Sequence, residues 1–350
     1  MKRDIQIKTT NVMLRDISKR DIKDIIKNFD VSTLERVEKL GRSTQSQNFI
    51  VHTKDAKYVL KIYLERNDDE INSELNLINL LNKMKPNLYP KIFHTKKGEI
   101  FLSYRGYRIC LMQYLDGEFL ESDKFNIANF YEIGQKLAEL HSDLSKLKQQ
   151  DINLNNHDLF YNISFEDCRD ILTKVGISVK KLENISTELN KKLNPCKNLT
   201  SKGILHNDFT DWNIRFKNNH ISGIFDFSDA CFGSLISDVA TTITETCFTK
   251  NNLLRRGAII SILRGYLSKG SLSFQEISLL IPLIKKRILF IIKYCSDKYR
   301  LFGDKKYLTF IRDYYLKLTY ICKNEDALES YLLKYIIKNL NLVKNDLEMN

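Results

Sequence analysis

Asp208, Asn213 and Asp226 are the residues whose types and spacing could do chemistry. They lie in His206-Asn207-Asp208-Phe209-Thr210-Asp211-Trp212-Asn213 and in Gly223-Ile224-Phe225-Asp226-Phe227. Read as a hairpin, Asn213 opens a strand, Ile214-Arg215-Phe216, the turn is Lys217-Asn218-Asn219-His220, and Ile221-Phe227 returns. A hairpin centred between positions 219 and 220 sets Asn213 opposite Asp226, with Asp208 in the loop leading in. An amide oxygen and a carboxylate brought together suit a hard cation such as Mg²⁺, which binds one or two carboxylates plus phosphate oxygens. Asn213 and Asp226 are the expected metal ligands, and Asp208 is left to orient a hydroxyl and accept its proton. Phosphoryl transfer divides its labour in this way. A lone H-x-D arises by chance with its Asp capping a turn. The combination with a following Asn, a hairpin and an Asp flanked by apolar residues is far more specific.

A second group lies upstream. Lys61 interrupts an otherwise apolar strand, Tyr58-Val59-Leu60-Lys61-Ile62-Tyr63, and a buried ammonium is costly unless paired. On the next helix Ile71, Glu74, Leu75, Ile78 and Leu81 share one face, which makes Glu74 the expected partner, with Glu70 one turn earlier as its rival. The alternative is an edge-strand lysine that snorkels to solvent. Gly41-Arg42-Ser43-Thr44-Gln45-Ser46-Gln47-Asn48, between two strands, could fold over phosphates through backbone N–H groups and the Ser43 and Thr44 hydroxyls, as could an ordinary hairpin turn with one glycine.

Positioning these residues requires two kinds of unit. Strand-like runs at Leu34-Leu40, Asn48-His52, Lys57-Tyr63, Lys91-His94, Ile100-Ser103 and Arg108-Tyr114, with a main helix near Asp69-Met84 and a short one at Lys19-Asn28, make a sheet-rich N-terminal part. After Asp116-Gly117 the spacing turns helical, as in Phe130-Leu144 with apolar residues at 130, 133, 137, 140 and 144. One β-island, Ile204-Phe227, interrupts it. Helices follow at Leu253-Leu267, Phe274-Tyr299, Lys306-Cys322 and Ala327-Val343, and Pro282 should kink or split the second.

The 350 residues carry 55 Lys and Arg against 43 Asp and Glu, a net charge of +12. Lysines are spread along the chain, and the densest basic cluster, Lys285-Lys286-Arg287, sits inside an apolar helical pattern, so the charge reads as compositional bias and not as a nucleic-acid footprint. No apolar run approaches the roughly 20 residues a bilayer span needs, and the start has no apolar leader segment. Seven scattered cysteines without C-x-x-C, and histidines without metal-ligand spacing, exclude a disulfide framework and a zinc site. A cytoplasmic enzyme, monomer or homodimer, with neither membrane nor nucleic acid as partner, is the expectation.

These residues in this order resemble the aminoglycoside phosphotransferase/choline kinase superfamily. The matching features are Gly41 to Asn48 as nucleotide loop, Lys61 with Glu74, Leu111-Met112-Gln113-Tyr114-Leu115-Asp116-Gly117 as hinge, Leu137-Ala138-Glu139-Leu140-His141, the loop at 206–213, Asp226, and Gly233 to Ala240 with Asp238 retained. The resemblance implies an α+β, protein-kinase-like bilobal fold. Its small antiparallel-sheet N-lobe with one main helix would span 1–115, with the hinge from about 112, and the larger helical C-lobe 116–350. It implies ATP or GTP as donor with Mg²⁺, the backbone at Gln113 and Leu115 holding the base, and Asp238 tying down the catalytic loop. The stretches Gln47 to Thr53 and Ser222 to Ala230 look most like the type II homoserine kinase and hydroxylysine kinase branch, implying an amino acid or amino alcohol as hydroxyl acceptor. Asp211, Asp229 and Glu245 are candidates for its ammonium and Arg287 for a carboxylate, each alternatively a surface charge. An aminoglycoside phosphotransferase, or a kinase-like module that binds nucleotide without turnover, are the rival readings. Trp212, within the loop, is expected to pack beneath it.

Overall fold

The structure, a computed structural model, describes residues 17–40, 46–147, 152, 154 and 159–348, with side chains described to residue 335. Ser43 and Thr44 lie outside the described residues. The chain divides into two compact units, one built from residues up to 68 and from 92–114, the other from 69–91 and from 115 onward.

The first unit is an antiparallel sheet backed by a short helix. Strands β1 (Leu34–Leu40), β2 (Ser46–Thr53), β3 (Lys57–Tyr63), β4 (Ile92–Phe93), β5 (Leu102–Tyr104) and β6 (Tyr107–Gln113) pair in the order β1-β2-β3-β6-β4, with β5 also on β6. Helix α1 (Lys19–Ile26) starts at a capping box in which Ser18 and Asp21 satisfy each other's backbone N–H groups. Its Ile22, Ile25 and Ile26 bury against Phe49 and Val51, Leu60 and Ile62, and Ile109 and Leu111. Each of those pairs is spaced by two, as the alternation of side chains along a strand requires. Lys61 lies between Leu60 and Ile62 and so projects to the opposite face. Strand β3 is interior, paired on both sides, and Lys61 is only 5% exposed, which rules out the edge-strand reading.

The second unit is mainly helical, with two small antiparallel pairs. Helix α2 (Asp68–Met84) buries Ile71, Glu74, Leu75, Ile78 and Leu81, the face its spacing marks out. Helix α3 (Ile127–Leu144) and helix α7 (Arg256–Leu267) touch backbone to backbone: a Cβ on Gly134 would come 2.0 Å from the Ile262 carbonyl oxygen, and one on Gly265 1.9 Å from that of Tyr131. The remaining helices are α4 (Arg169–Lys174), α5 (Val179–Leu193), α6 (Leu235–Thr246), α8 (Phe274–Ser278), α9 (Leu280–Phe302) and α10 (Lys306–Glu348). The break between α8 and α9 falls just ahead of Pro282, whose ring and missing N–H are tolerated in the first turn of a helix but not deeper. Against expectation, α10 is one helix and not two. Strand β7 (Lys202–Leu205) pairs with β10 (Cys231–Ser234), and β8 (Ile214–Lys217) with β9 (His220–Ile224), so the β-island extends beyond its expected bounds on both sides.

Among the described residues no helix is long and apolar enough to cross a membrane, and all seven cysteines are free thiols. The Lys285-Lys286-Arg287 cluster is buried, Lys285 pairing with Glu325 at 2.7 Å, so it offers no basic surface.

Candidate active site

The loop from His206 to Asn213 starts where β7 ends and is held from below by Asp238 in the first turn of α6. Asp238 accepts the backbone N–H groups of His206 (2.8 Å) and Asn207 (2.9 Å), and Nε2 of His141 lies 3.0 Å from its Oδ2. The other His141 nitrogen lies 2.8 Å from the Tyr266 hydroxyl, so α3, α6 and α7 all converge on the loop. Burial pushes the Asp238 carboxyl up, but the hydrogen bond and charge of His141 and the loop amides outweigh it and hold the group below its ordinary value. Asn207 takes φ 62°, which turns the chain sharply just before Asp208.

The hairpin does not pair as the sequence suggests. Its turn is the two residues Asn218 and Asn219, both left-handed at φ 52° and 63°, and the register shifts once between Arg215 and Phe216. Two successive positive φ values favour Asn and match the twist of a tight hairpin. Asn213 therefore stands opposite Phe225, whose N–H donates to its carbonyl at 3.1 Å, and not opposite Asp226. Asp226 comes one residue later, itself left-handed at φ 64°, a conformation in which Asp is one of the more tolerated side chains.

Around Asp208 the contacts are dense. Asn213 Nδ2 donates to the Asp208 carbonyl (2.9 Å) and to its Oδ2 (2.8 Å). Arg287 of α9, 5% exposed, donates through Nη2 to Asp208 Oδ1 (3.3 Å), through Nη1 to the Asn207 carbonyl (3.4 Å) and through Nε to Glu245 Oε1 (3.3 Å). The Tyr314 hydroxyl of α10 donates to the other oxygen of Glu245. Burial raises the Asp208 pKa to about 7, with Arg287 pulling it down and Asp229, Glu245 and Asp226 pushing it up, although a third of the side chain still reaches solvent.

The other expected site residues divide clearly. Asp211 is buried, its Oδ2 accepting the Ser122 N–H at 2.8 Å, and burial raises its pKa to about 6. Glu245 and Arg287 are committed to each other, so neither is a surface charge. Asp229 is half-buried and close enough to act electrostatically on Asp208 and Arg287. Trp212 does not pack beneath the loop: its chain neighbours Asp211 and Asn213 are buried, while it is 43% exposed. Glu74 is buried and Glu70 half-buried; Gln113 ends β6 half-buried; the Leu115 side chain packs where Gly223 leaves room. Tyr314 and Lys317 of α10, and His141 and Tyr266 behind Asp238, belong to the site without a local sequence signal for their roles.

The donor set fits a divalent cation. A carbonyl oxygen can only accept, so Asn213 must turn its NH₂ to Asp208, which leaves Oδ1, a hard ligand like the Asp226 carboxylate, as the atom for a metal.

Residues 36–268, which make up 233 of the 350, match the Phosphotransferase enzyme family (APH). The chain is similar to the homoserine kinase of Brucella melitensis, 23% identical over 274 residues that cover 77% of this chain and 81% of the relative. Among solved structures it is similar to a microcompartment-associated aminopropanol kinase (TM-score 0.70, 15% identity, 89% of this chain and 99% of that one). It is also similar to an amicoumacin kinase in complex with AMP-PNP and Ca²⁺ (TM-score 0.65, 14% identity, 85% and 93%). These structures share its protein-kinase-like fold. With the loop, the hairpin and the clamp on Asp208 all inside the matched region or packed against it, the chain belongs to the Phosphotransferase enzyme family and is a small-molecule kinase.

Proposed function

We propose that the chain is an ATP-dependent kinase that moves the γ-phosphate to the hydroxyl of a small amino acid or amino alcohol, with homoserine as the leading acceptor. The observation that carries this reading is the Asp208 carboxylate, fixed on one oxygen by Asn213 and on the other by Arg287. A carboxylate so held can orient one hydroxyl and take its proton as the phosphoryl group arrives. The homoserine kinase relatives and the amino-alcohol kinase among the structural neighbours support the choice of acceptor class.

Asn213 and Asp226 would hold Mg²⁺, which neutralises phosphate charge when bound. Lys61 would supply a second positive charge to the nucleotide phosphates, with Glu74 as the acid expected for it, and the Gln113 and Leu115 backbone would hold the base. Asp208 does the proton chemistry, and Asp238 keeps its loop in place. The test is phosphate transfer from ATP, with GTP in parallel, over a panel of homoserine, other hydroxy-amino acids, amino alcohols, sugars and aminoglycosides. Transfer confined to aminoglycosides, or no transfer at all, would overturn the reading.

A further inference from the structure

Resting on that reading, we propose that Lys317 binds the carboxylate of the acceptor, so that the acceptor is a hydroxy-amino acid and not an amino alcohol. In the sequence Arg287 is a candidate for that carboxylate, with a surface charge as the alternative. The structure shows that guanidinium buried and spent on Asp208, the Asn207 carbonyl and Glu245. Contacts run on from there without a gap: Glu245 accepts from the Tyr314 hydroxyl, and the Lys317 Nζ stands 4.1 Å from the centre of the Tyr314 ring and 5.1 Å from that of Phe248.

Lys317 is half-buried, and among the described residues it makes no hydrogen bond or ion pair; its ammonium faces those two rings. A partly desolvated ammonium without an anion is costly, and here burial lowers its proton affinity despite the nearby Glu245, Asp313 and Asp211. An incoming carboxylate would remove that cost. The complementary vacancy lies on Asp211, whose Oδ1 is buried without a partner while Oδ2 is tied to Ser122. Lys317, Asp211 and Asp208 all lie within electrostatic reach of Glu245, and an unpaired cation beside a carboxylate oxygen without a partner suits a zwitterion that also carries a hydroxyl. An amino alcohol would satisfy the acid, leave Lys317 unpaired and set a like charge beside it.

The test compares homoserine with 3-aminopropan-1-ol, the same chain with hydrogen in place of the carboxylate, as acceptors for the full-length protein with ATP and Mg²⁺. The expected result is a wild-type preference for homoserine in kcat/KM. Lys317→Met should cut that preference about 30-fold, mainly through KM, the scale of one charge-assisted hydrogen bond. Lys317→Arg should restore most of it. Lys317→Gln serves as a second variant should Lys317→Met fail to fold. A wild-type preference for the amino alcohol, or equal losses on both acceptors, would overturn the carboxylate site while leaving the kinase reading standing. Transfer to neither acceptor by the wild type would overturn both.

Discussion

His206 Nε2 lies 3.2 Å from the carbonyl oxygen of Phe225, which ties the residue two before Asp208 to the residue before Asp226. A carbonyl can only accept, so Nε2 carries the ring proton and Nδ1 carries none. Burial lowers the pKa of this fully enclosed ring, against the pull of Asp238 and Asp226, and Nδ1 is left without a partner. The ring also packs 4.6 Å from the Phe227 ring. His206→Ala should therefore remove a hydrogen bond and open a cavity, lowering stability by about 2–4 kcal/mol. Because the two acids lose their common tie, kcat should fall as well, by more than the change in KM. Melting curves and steady-state kinetics on one preparation check both.

Asp208 must be ionised to take a proton, and its pKa is pushed up to about 7, chiefly by burial. The kcat/KM profile should accordingly fall as pH drops through about 7, reporting the free enzyme's base. A carboxylate raised in the folded state also holds its proton more tightly there than in the unfolded chain. Its contribution to stability is full below the unfolded value near 4 and is lost as pH rises through 7, so this site costs stability at working pH. Asp208→Asn should reduce transfer by about 10²–10⁴-fold and erase the acidic limb, with Mg-nucleotide binding by calorimetry nearly intact. Turnover at the wild-type rate would remove Asp208 from its role.

Much of this architecture was legible because its signals are local. Strands β1 and β3 begin and end where alternation and turn residues place them, and the buried face of α2 follows from the spacing of Ile71, Leu75 and Ile78. The expected hairpin register fails for two reasons: the turn centres between Asn218 and Asn219, one position before the centre assumed, and a one-residue shift between Arg215 and Phe216 makes up only half of the difference. Neither the left-handed backbone of the two asparagines nor that shift has a periodic signal in the sequence. The polar run Lys323-Asn324-Glu325-Asp326 looked like a gap in α10. In the fold it continues the helix, Asn324 bonding back to the Tyr320 carbonyl and Glu325 pairing with Lys285. Tyr314 and Lys317 were invisible because their partners lie in elements far away along the chain, a relation that no periodicity encodes.

Trp212 is the chain's one tryptophan and is exposed beside Asn213. Its emission should be that of a solvated indole in the ligand-free protein and should change markedly when Mg-nucleotide is added. The change should be lost on chelating the divalent ion if Asn213 and Asp226 carry it. An unchanged spectrum on saturating nucleotide would count against the placement of the metal at this loop.

Lys286 has no exposed surface, and its ammonium meets the neutral Asn190 side-chain oxygen. Burial lowers its pKa from 10.5 to about 8. The unfolded chain binds that proton more tightly, so stability should rise as pH climbs from about 8 toward 10.5. Lys286→Met keeps the stem and removes the charge. Replacing a poorly compensated buried charge by an apolar group of like shape is often stabilising, and a gain of about 1 kcal/mol at pH 7 is expected after the loss of the Asn190 contact. The same variant should flatten the alkaline rise, which melting at a series of pH values would show.

The contact between α3 and α7 carries His141 and Tyr266 to Asp238. A Cβ at Gly265 would come 1.9 Å from the Tyr131 carbonyl oxygen and 3.0 Å from the Gln135 nitrogen, both backbone atoms, so no side chain can swing aside. Gly265→Ala must push the helices apart, a cost of about 1–3 kcal/mol or more. Because Tyr266 is the next residue, kcat should fall with stability. Gly257 on the same helix supplies the control: a Cβ there meets nothing closer than the Ile127 Cδ1 at 3.9 Å. Gly257→Ala should gain the helix-propensity difference, about 0.5–1 kcal/mol, with activity unchanged. If both substitutions behaved alike in melting and turnover, the close approach of the two helices would not be what positions the Asp238 network.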